Sequence, residues 1–401
     1  MLDAIKAAAD DLFPDVVRLR RALHRHPELA LEEHETARRV VEVLGALDGV
    51  KVQTGVYETG VVATLEGGRP GPTLLLRADM DALPIEEATG LDFASENAGV
   101  MHACGHDAHT ASLLGAAQIL HRHRDRLHGH VRFLFQPSEE RLPGGAKFMI
   151  EEGALDDNAA SPAPEAVFGQ HVRPDLPAGT IGVRPGMFMA SADELYVTVR
   201  GEGGHAAAPH RLAADPTLVA AHVVVALQSI VSRHRPPDVP SVLTIGKLAA
   251  DGATNVIPDT ARMEGTFRAM DEDWRFRAHD LIRRTAEHTA RAHGATAEVE
   301  IRVGYPALYN HEGPTRLVRE AAAEYVGATN TVDLGPWFAG EDFAYFLQER
   351  PGTFYALGVR NEERGIVHDL HTPRFTVDEE ALRTGAGFMA YLAWRYGAEQ
   401  A

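Results

Sequence analysis

The chain has 401 residues, of which 45% are hydrophobic and 24% are charged, and its formal net charge at pH 7 is −18. This length suits two domains of ordinary size or one domain with a large insert. The acidic balance argues against a nucleic-acid partner, because phosphate binding needs basic surface. No apolar run approaches the roughly 18 residues of a membrane span. The single cysteine excludes an intrachain disulfide framework, which fits a cytoplasmic protein.

In the first half of the chain, helical patterns alternate with short apolar runs. The predicted elements are, in order, helices at 2–25 and 33–47, strands at 59–65 and 73–79, a helix at about 107–125, and strands at 131–136 and 166–171. The later strands are continuously apolar, as expected for strands buried on both faces. We therefore predict an α/β fold with a mostly parallel sheet and helices on both of its faces.

The pattern changes near residue 190. The predicted elements there are a half-exposed strand at 194–201, a helix from Asp215-Pro216 to about 232, strands at about 241–249 and 260–268, a helix at about 271–293 and a strand at 295–303. This β-α-β-β-α-β order is typical of a ferredoxin-like α+β domain. From about 305 the first pattern returns, with helices near 314–327, 341–349 and 378–396. The predicted division is therefore a parallel-sheet domain of residues 1–189 and 305–401 with an inserted domain of residues 190–304.

Chemically active side chains concentrate between Met101 and Thr110, where the only cysteine, three histidines and an aspartate precede an apolar helical run. Other polar groups follow the predicted strands, namely Asp79, the pair Glu139-Glu140, and His171. Ligands of parallel sheets sit at the carboxyl ends of the strands. Independent segments therefore bring polar groups to one edge of the sheet.

Several of these residues are types that bind metal ions: Cys104, His106, Glu140, His171 and, late in the chain, His371. Five protein ligands exceed what one tetrahedral ion needs, so they could hold two ions with water between them. One glutamate of the pair would then bind metal and leave Glu139 as the general base. Asp79 would orient or bridge to a histidine from the second layer around the ions.

Each residue also has an ordinary interpretation. A lone cysteine beside a helix start is usually a small buried apolar residue, and a Glu-Glu pair is usually exposed. His171 could be a buried histidine with satisfied hydrogen bonds, and His371 a loop residue. The convergence of all these groups on one sheet edge is what favours the metal interpretation.

Six motifs together resemble the M20 metallopeptidases, and more narrowly their amidohydrolase branch of hippurate hydrolases, aminoacylases and auxin-conjugate hydrolases. These motifs span nearly the whole chain in order: Arg77–Pro84, Met101–His109, Gln136–Glu140, Gly203–Ala207, Asn255–Pro258 and Gly340–Phe343. The resemblance implies a metal-binding catalytic domain and a dimerising lid domain.

Carried over residue by residue, the resemblance implies metal ligands, a base and substrate contacts. The implied residues are Cys104, His106, Glu140, His171 and His371 as ligands, Glu139 as the base, His205 on the scissile carbonyl, and Asn255 and Arg268 on substrate, Arg268 reading the carboxylate. The chain departs from the wider family in having Arg77 and His106 at positions of a metal histidine and a bridging aspartate. The amidohydrolase branch shares both departures. The bridge is then solvent or the Cys104 thiolate, and the expected ion is manganese, with zinc, cobalt or nickel as alternatives.

The function expected from these motifs is metal-dependent hydrolysis of a small N-acyl amino acid by a homodimer or homotetramer joined through the lid domain. One alternative is a dipeptidase or carboxypeptidase on the same scaffold. Another is a non-catalytic metal- or peptide-binding protein, although metal storage does not require Glu139. A zinc-dependent base deaminase is excluded, because its motif needs more cysteines than this chain has.

Overall fold

The computed structural model describes residues 1–400, and the chain folds into two compact units. The large unit contains Met1–Gly186, Tyr309–Gly335 and the chain from Asp342 on; the small unit contains Met187–Leu308 and Pro336–Glu341. The sequence pattern predicts divisions after 189 and 304, and it does not indicate that 336–341 belongs with the insert.

The helices are α1 (Leu2–Arg25), α2 (His34–Gly45), α3 (His106–Arg122), α4 (Gly145–Glu151), α5 (Pro216–Ser229), α6 (Glu272–Ala292), α7 (Glu312–Tyr325), α8 (Phe343–Glu349) and α9 (Glu380–Gln400). The strands are β1 (Lys51–Thr54), β2 (Val61–Glu66), β3 (Arg69–Asp79), β4 (His128–Gln136), β5 (Ala166–Pro177), β6 (Ile181–Val183), β7 (Gly186–Met189), β8 (Asp193–Arg200), β9 (Gly204–His205), β10 (Ser241–Ala249), β11 (Val256–Ile257), β12 (Thr260–Ala269), β13 (Thr296–Val303), β14 (Leu308–Asn310), β15 (Thr331–Asp333) and β16 (Gly352–Arg360).

The large unit is built on an eight-stranded sheet with the order β1-β2-β4-β3-β5-β16-β6-β15. Its centre is parallel, because β3 pairs in parallel with β4 and β5, and β5 pairs in parallel with β16. Antiparallel pairs occur towards the two sides, between β1 and β2, β2 and β4, and β16 and β6. The predicted mostly parallel α/β sheet is confirmed.

Helices cover both faces of this sheet. Neighbouring residues of a strand point to opposite faces, and in β5 two consecutive residues contact helices on the two faces of the sheet. The ring of Phe168 packs against Tyr396 of α9, with ring centroids 5.8 Å apart. A Cβ atom on the next residue, Gly169, would lie 3.0 Å from the ring of Phe343 in α8. The strand must therefore be apolar on both sides.

The central strand β16 is not among the elements predicted from the sequence. Its nine residues are buried except for the last, Arg360, and the eight before it form a run that carries no charge. The pattern alone does not distinguish such a run from a buried helix. Its strand conformation depends on pairing with β5, which lies almost two hundred positions earlier in the chain.

The main elements of the small unit are, in chain order, β8, α5, β10, β12, α6 and β13, with the two-residue strands β9 and β11 between them. Strands β10, β12, β8 and β13 form, in that spatial order, an antiparallel sheet that packs with α5 and α6 around its own apolar core. Helix α5 begins where the sequence indicated, with the Asp215 carboxylate accepting hydrogen bonds from the backbone N–H groups of Thr217 and Leu218. The half-exposed alternation of β8 likewise follows the predicted pattern.

A buried ionic cluster joins the ends of several small-unit elements. The Asp193 carboxylate at the start of β8 accepts hydrogen bonds from Arg275 and His279 of α6, at 2.9 and 2.7 Å. It also accepts one from the backbone N–H of Gly304, just after β13. Burial opposes ionisation of Asp193, but Arg275 and His279 outweigh it and lower the pKa of this carboxyl.

One stretch of the described chain, Pro216–His234, is long and apolar enough by composition to cross a membrane, and 33% of it is buried. It comprises α5 and a following turn of π-helix. One face packs into the small-unit core, as Val219, Val223 and Leu227 show. A core helix of a globular unit passes the same composition test.

Candidate metal centre

The candidate site lies where three adjacent strands of the large unit deliver their polar residues. Strand β3 ends at Asp79, β4 is followed by Glu139 and Glu140, and His171 stands in β5 just beyond its pairing with β3. Helix α3 begins at His106, beside the same edge. This is the arrangement that the rule for parallel sheets predicts.

The five predicted ligands meet there in two groups that share Cys104. One group is Cys104, His106 and His171, and the other is Cys104, Glu140 and His371. The Cys104 sulfur lies 3.5 Å from His171 Nε2 and 3.4 Å from His371 Nε2. The Glu140 Oε1 atom lies 3.2 Å from His371 Nε2. Within each group the potential ligand atoms lie within 4.8 Å of one another.

Two of these histidines are held with Nε2 facing the site. The Nδ1 atoms of His106 and His171 each lie 2.8 Å from a backbone carbonyl oxygen, of Asp81 and Val172 respectively. A carbonyl oxygen can only accept, so each Nδ1 carries a proton and each Nε2 is the ring atom that would bind a cation. Metal-binding histidines are commonly oriented by a hydrogen bond of this kind.

Acidic side chains dominate the electrostatics of the site. Burial opposes protonation of His106, yet Asp79, Asp81 and Glu140 outweigh it and raise the pKa of His106 to about 10. Burial raises the pKa of Cys104 well above its usual range, and Glu140 and Glu139 raise it further. Buried acidic and thiol groups that face one another in this way favour a bound cation, which would ionise the thiol.

The residues fit a metal ion. The Nε2 atom of His106 is buried and has no hydrogen-bond partner among residues 1–400. Such orphaned atoms are uncommon in folded proteins. Thiolate, imidazole and carboxylate groups together are ligands that zinc and other divalent transition metals accept.

Glu139 stands next to this ligand set. It is 6% exposed, and its Oε2 atom lies 4.0 Å from His106 Nε2. It forms a further possible ligand group with His106 and Glu140. The two glutamates of the pair therefore face the same site from consecutive positions.

Asp79 makes its hydrogen bonds to residues outside the predicted ligand set. Its two carboxylate oxygens accept hydrogen bonds at 2.6 Å from His109 Nδ1 and Arg77 Nη1, while its nearest approach to His106 Nε2 is 3.7 Å. His109 in turn accepts a hydrogen bond on Nε2 from the backbone N–H of Val172. Both ring nitrogens of His109 are thus occupied, and Asp79 orients His109 rather than a ligand directly.

His102 and Asp107, also from the cysteine motif, lie behind the ligands. His102 is fully buried, and burial lowers its pKa to about 3. Asp107 pairs with Arg20 at 2.7 Å and with His24 at 2.8 Å. Neither residue belongs to the ligand groups.

Asp81 contacts two of the ligand residues, although it is not among the site residues predicted from the sequence. Its carboxylate Oδ2 accepts a hydrogen bond from the backbone N–H of Glu140 at 2.8 Å, and its Oδ1 lies 3.2 Å from His106 Nδ1. The sequence contains a signal for this role, because Asp81 is an acidic residue two positions after Asp79, the last residue of β3.

Arg77 and Asp342 form a second unrecognised group. Arg77 is fully buried and donates to Asp79, Gln136 and Asp342. Gln136 and the backbone N–H of Ala146 also donate to Asp342, at 2.7 and 3.0 Å. Burial raises the pKa of Asp342 to about 6 despite Arg77. Arg77 is thus the centre of a buried ionic network that joins the ends of β3 and β4 to Asp342.

The predicted substrate-binding residues all lie in the small unit. His205 in β9 pairs with Val256 in β11, and the N–H of Ala206 donates to the carbonyl of Asn255, so His205 and Asn255 are neighbours. Both are exposed. Arg268 lies on β12 and donates to the carbonyl of Phe338 at 3.2 Å, and burial lowers its pKa.

Comparison with known proteins identifies the family to which this chain is similar. Residues 75–395 match the sequence profile of Peptidase family M20/M25/M40. The N-acetyl-L-cysteine deacetylase of Bacillus subtilis is 42% identical over 374 residues, which cover 93% of this chain and 86% of that protein. Thermostable carboxypeptidase 1 of Saccharolobus solfataricus is 38% identical over 399 residues, 99% of each chain. The crystal structure of Bacillus subtilis YXEP protein, described as a dinuclear metal-binding peptidase, has a TM-score of 0.83 at 36% identity and covers 98% of this chain and 100% of its own.

Proposed function

The chain belongs to Peptidase family M20/M25/M40 and is a hydrolase of that family, and we propose that it cleaves the amide bond of N-acyl amino acids. The products would be a carboxylic acid and a free amino acid. The proposal rests on the position of Glu139, which lies beside two potential ligand groups that share Cys104. The deacetylase relative supports the substrate class.

The residues proposed to hold metal are Cys104, His106, Glu140, His171 and His371. Two groups with one sulfur in common suit two ions and make the thiolate a candidate bridge, and the dinuclear relative supports the same count. The ions, which we expect to be manganese, would supply Lewis acidity at the amide carbonyl and acidify water. Zinc, cobalt and nickel remain alternatives, since this mixed donor set does not select one ion.

Glu139 is proposed as the general base. Its carboxylate would take a proton from the attacking water and pass it to the leaving amine, which must be protonated as the C–N bond breaks. Its neighbour Glu140 would be held by metal, so only Glu139 would be available for proton transfer. Asp79 would act indirectly, because it holds His109, which binds the backbone N–H of the residue next to His171.

Substrate contacts are proposed for three residues of the small unit. His205 would donate a hydrogen bond to the scissile carbonyl, and Asn255 beside it would help to orient the amide. Arg268 would pair with the carboxylate of the amino acid, since a guanidinium binds a carboxylate with two hydrogen bonds. These three roles follow from the family resemblance.

The experiment is a substrate panel. Metal-free protein is reloaded separately with manganese, zinc, cobalt and nickel and assayed with N-acetyl and N-benzoyl amino acids and with unblocked dipeptides. We expect metal-dependent cleavage of N-acyl amino acids with a kcat/KM at least about tenfold above that for dipeptides, roughly the effect of 1.4 kcal/mol in transition-state binding.

A carboxypeptidase or dipeptidase is the second candidate, because a relative of nearly full length carries a carboxypeptidase name. Faster cleavage of unblocked dipeptides would favour it over the aminoacylase proposal. Stoichiometric metal binding without cleavage of any amide in the panel would instead indicate a metal-binding protein.

We also propose a cytoplasmic homodimer or homotetramer formed through the small unit. Helix α5 exposes apolar side chains on the face that points away from the core: Leu218 is 55% exposed and Val225 72%. These residues are seven positions apart and share one side of the helix. Strand β10 is an edge of the small-unit sheet and exposes Leu248 as well. Association through such an edge would cover backbone groups that otherwise invite nonspecific pairing.

A further inference from the structure

The chain immediately before Glu139 has an unusual conformation. Ser138 has a φ of 56°, in the left-handed region that residues other than glycine seldom adopt. It is also buried, with 4% exposure. Such backbone strain persists only where surrounding contacts enforce it, and it is concentrated at functional sites.

The contact that enforces this conformation comes from a buried carboxylate far away in sequence. The Oε1 atom of Glu33 accepts a hydrogen bond from the backbone N–H of Ser138 at 2.9 Å. Its Oε2 atom accepts one from the Thr59 hydroxyl at 2.6 Å, which fixes the carboxylate plane. Glu33 itself is fully buried and precedes α2.

The other side of the same residue is also held. The carbonyl of Ser138 accepts a hydrogen bond from the N–H of Gly145 at 2.9 Å. A Cβ atom at Gly145 would lie 2.0 Å from the Pro137 carbonyl oxygen, so only glycine permits this approach. Glu140 lies two positions after Ser138, and its backbone N–H donates a hydrogen bond to the Asp81 carboxylate. Glu139 is therefore the one residue between two fixed backbone points.

We propose that Glu33 is a positioning residue that aims the Glu139 carboxylate at its reacting proton by holding Ser138 in its left-handed conformation. This inference rests on the proposed role of Glu139 as the base. It assigns to Glu33 no contact with substrate or metal. Its effect is expected in kcat, because a small misplacement of a catalytic group slows the chemical step without weakening substrate binding.

The test compares variants of the metal-loaded protein on whichever amide substrate the wild type cleaves best. Glu33→Ala should lower kcat about 10- to 100-fold, with KM and bound metal unchanged, since displacements near 1 Å cost up to about 10²-fold. Glu33→Gln should keep kcat within about threefold, because its amide oxygen still accepts from Ser138 and its NH2 group can donate to Thr59.

Glu28→Ala is the matched control. The Glu28 carboxylate accepts hydrogen bonds from the N–H groups of Glu35 and Thr36, so it stabilises the start of the same helix without touching Ser138. A loss of kcat in Glu28→Ala equal to that in Glu33→Ala would reduce Glu33 to a stabiliser of α2 and overturn the proposal. Wild-type kcat in Glu33→Ala, or loss of its metal, would do the same.

A double-mutant comparison separates this inference from the proposed function. In a Glu139→Gln background, Glu33→Ala should lower the remaining activity less than about twofold, because the group that it positions is gone. An undiminished effect would show that Glu33 does not act through Glu139. If Glu33→Ala fails to fold, Glu33→Asp replaces it: the shorter carboxylate keeps its charge but cannot reach both partners, so kcat should fall, and an unchanged kcat would overturn the inference.

Discussion

At the scale of single residues, hydrogen bonds from distant segments distinguish the two histidines that the cysteine motif places in α3. His106 has its Nδ1 atom bound to the carbonyl of Asp81 and its Nε2 facing the site, whereas His109 uses both ring nitrogens. The two residues are three positions apart in one helix and have the same chemistry. The spacing of the motif does not show these partners, which are the Asp81 carbonyl after β3, Asp79 at the end of β3 and the N–H of Val172 in β5.

The first residue-scale prediction concerns the proposed base. Glu139→Gln should lower kcat about 10²- to 10⁴-fold, the usual contribution of a general base, while metal content by elemental analysis stays at the wild-type level. Glu151→Gln, an exposed position on α4, is the control and should retain full activity. Near-normal turnover in Glu139→Gln would remove the residue from the mechanism.

Cys104 is the residue shared by the two ligand groups. Cys104→Ala should therefore reduce bound metal by at least one ion per chain and abolish activity, because both groups lose a ligand at once. Equilibrium dialysis followed by elemental analysis measures the stoichiometry. Ser112→Ala, a buried change in the helix that follows Cys104, should leave the metal content unchanged; full metal loading of Cys104→Ala would contradict the assignment.

The buried carboxyl of Glu33 gives a pH prediction. Burial and Asp81 raise the pKa of Glu33 to about 7, although Thr59 and Ser138 oppose the shift. Between the unfolded value of about 4.5 and 7, the folded state keeps a proton that the unfolded state has lost, so the free energy of unfolding falls as pH rises. The loss is complete above pH 7.

Glu33→Gln is neutral at every pH and should not show this loss. The melting temperature of the wild type relative to Glu33→Gln should fall between pH 5.5 and 7 and then level off up to pH 8.5, for a free-energy change of about 2 kcal/mol. Differential scanning calorimetry of both metal-loaded proteins isolates the contribution of Glu33. A difference that stays constant across this range would mean that Glu33 is ionised in the fold at every pH tested.

At the scale of elements, the amphipathic ones and the buried strands β3, β4 and β5 were predictable, whereas the buried strand β16 was not. Strand β10 was predicted with its observed bounds, and β8, α5, β12, α6 and β13 to within a few residues at each end, because one side of each faces the core and the other faces solvent. The two-residue strands β9 and β11 were not predicted. The strand β16 gives no such alternation. Its place between β5 and β6 depends on pairing across the chain, which the local pattern does not contain.

The ionic cluster of the small unit gives an element-scale prediction. Asp193→Asn should destabilise the protein by about 3–5 kcal/mol, because it leaves the buried Arg275 without its main counter-charge. Thermal unfolding measures the loss. The free energy of unfolding of the wild type should also fall as pH falls through the lowered pKa of Asp193, so the difference between the two proteins should shrink.

The control for this change is a surface pair. Arg200 and Glu298 lie 3.1 Å apart on neighbouring strands with side chains 53% and 70% exposed. Glu298→Gln should cost less than about 0.5 kcal/mol, as exposed pairs usually do. Equal losses in the two variants would show that Asp193 is no more than a surface-like charge.

At the scale of the whole molecule, the proposed association through the small unit can be tested on the exposed face of α5. Val225→Asp places a charge on the most exposed apolar side chain of that helix, which is 72% exposed. We expect a shift from dimer or tetramer to a smaller species by light scattering, with secondary structure unchanged by circular dichroism.

Val303→Asp is the matched control, since Val303 is 48% exposed on β13 at the opposite edge of the same sheet. It should leave the oligomer intact. An oligomer that persists in Val225→Asp and dissociates in Val303→Asp would place the contact at the other edge.

The large unit is assembled from separate stretches of chain, and this affects how the protein is made. Strand β16 fills the middle of the sheet, and His371 follows it, so both arrive long after Cys104 and His171 have been translated. Ribosomes add about 5–20 residues per second, so many seconds pass between the synthesis of His171 and that of His371. Under the proposed ligand assignment, metal uptake by all five residues would therefore come at the close of translation, and the nascent chain would hold its only thiol in an unfinished sheet until then.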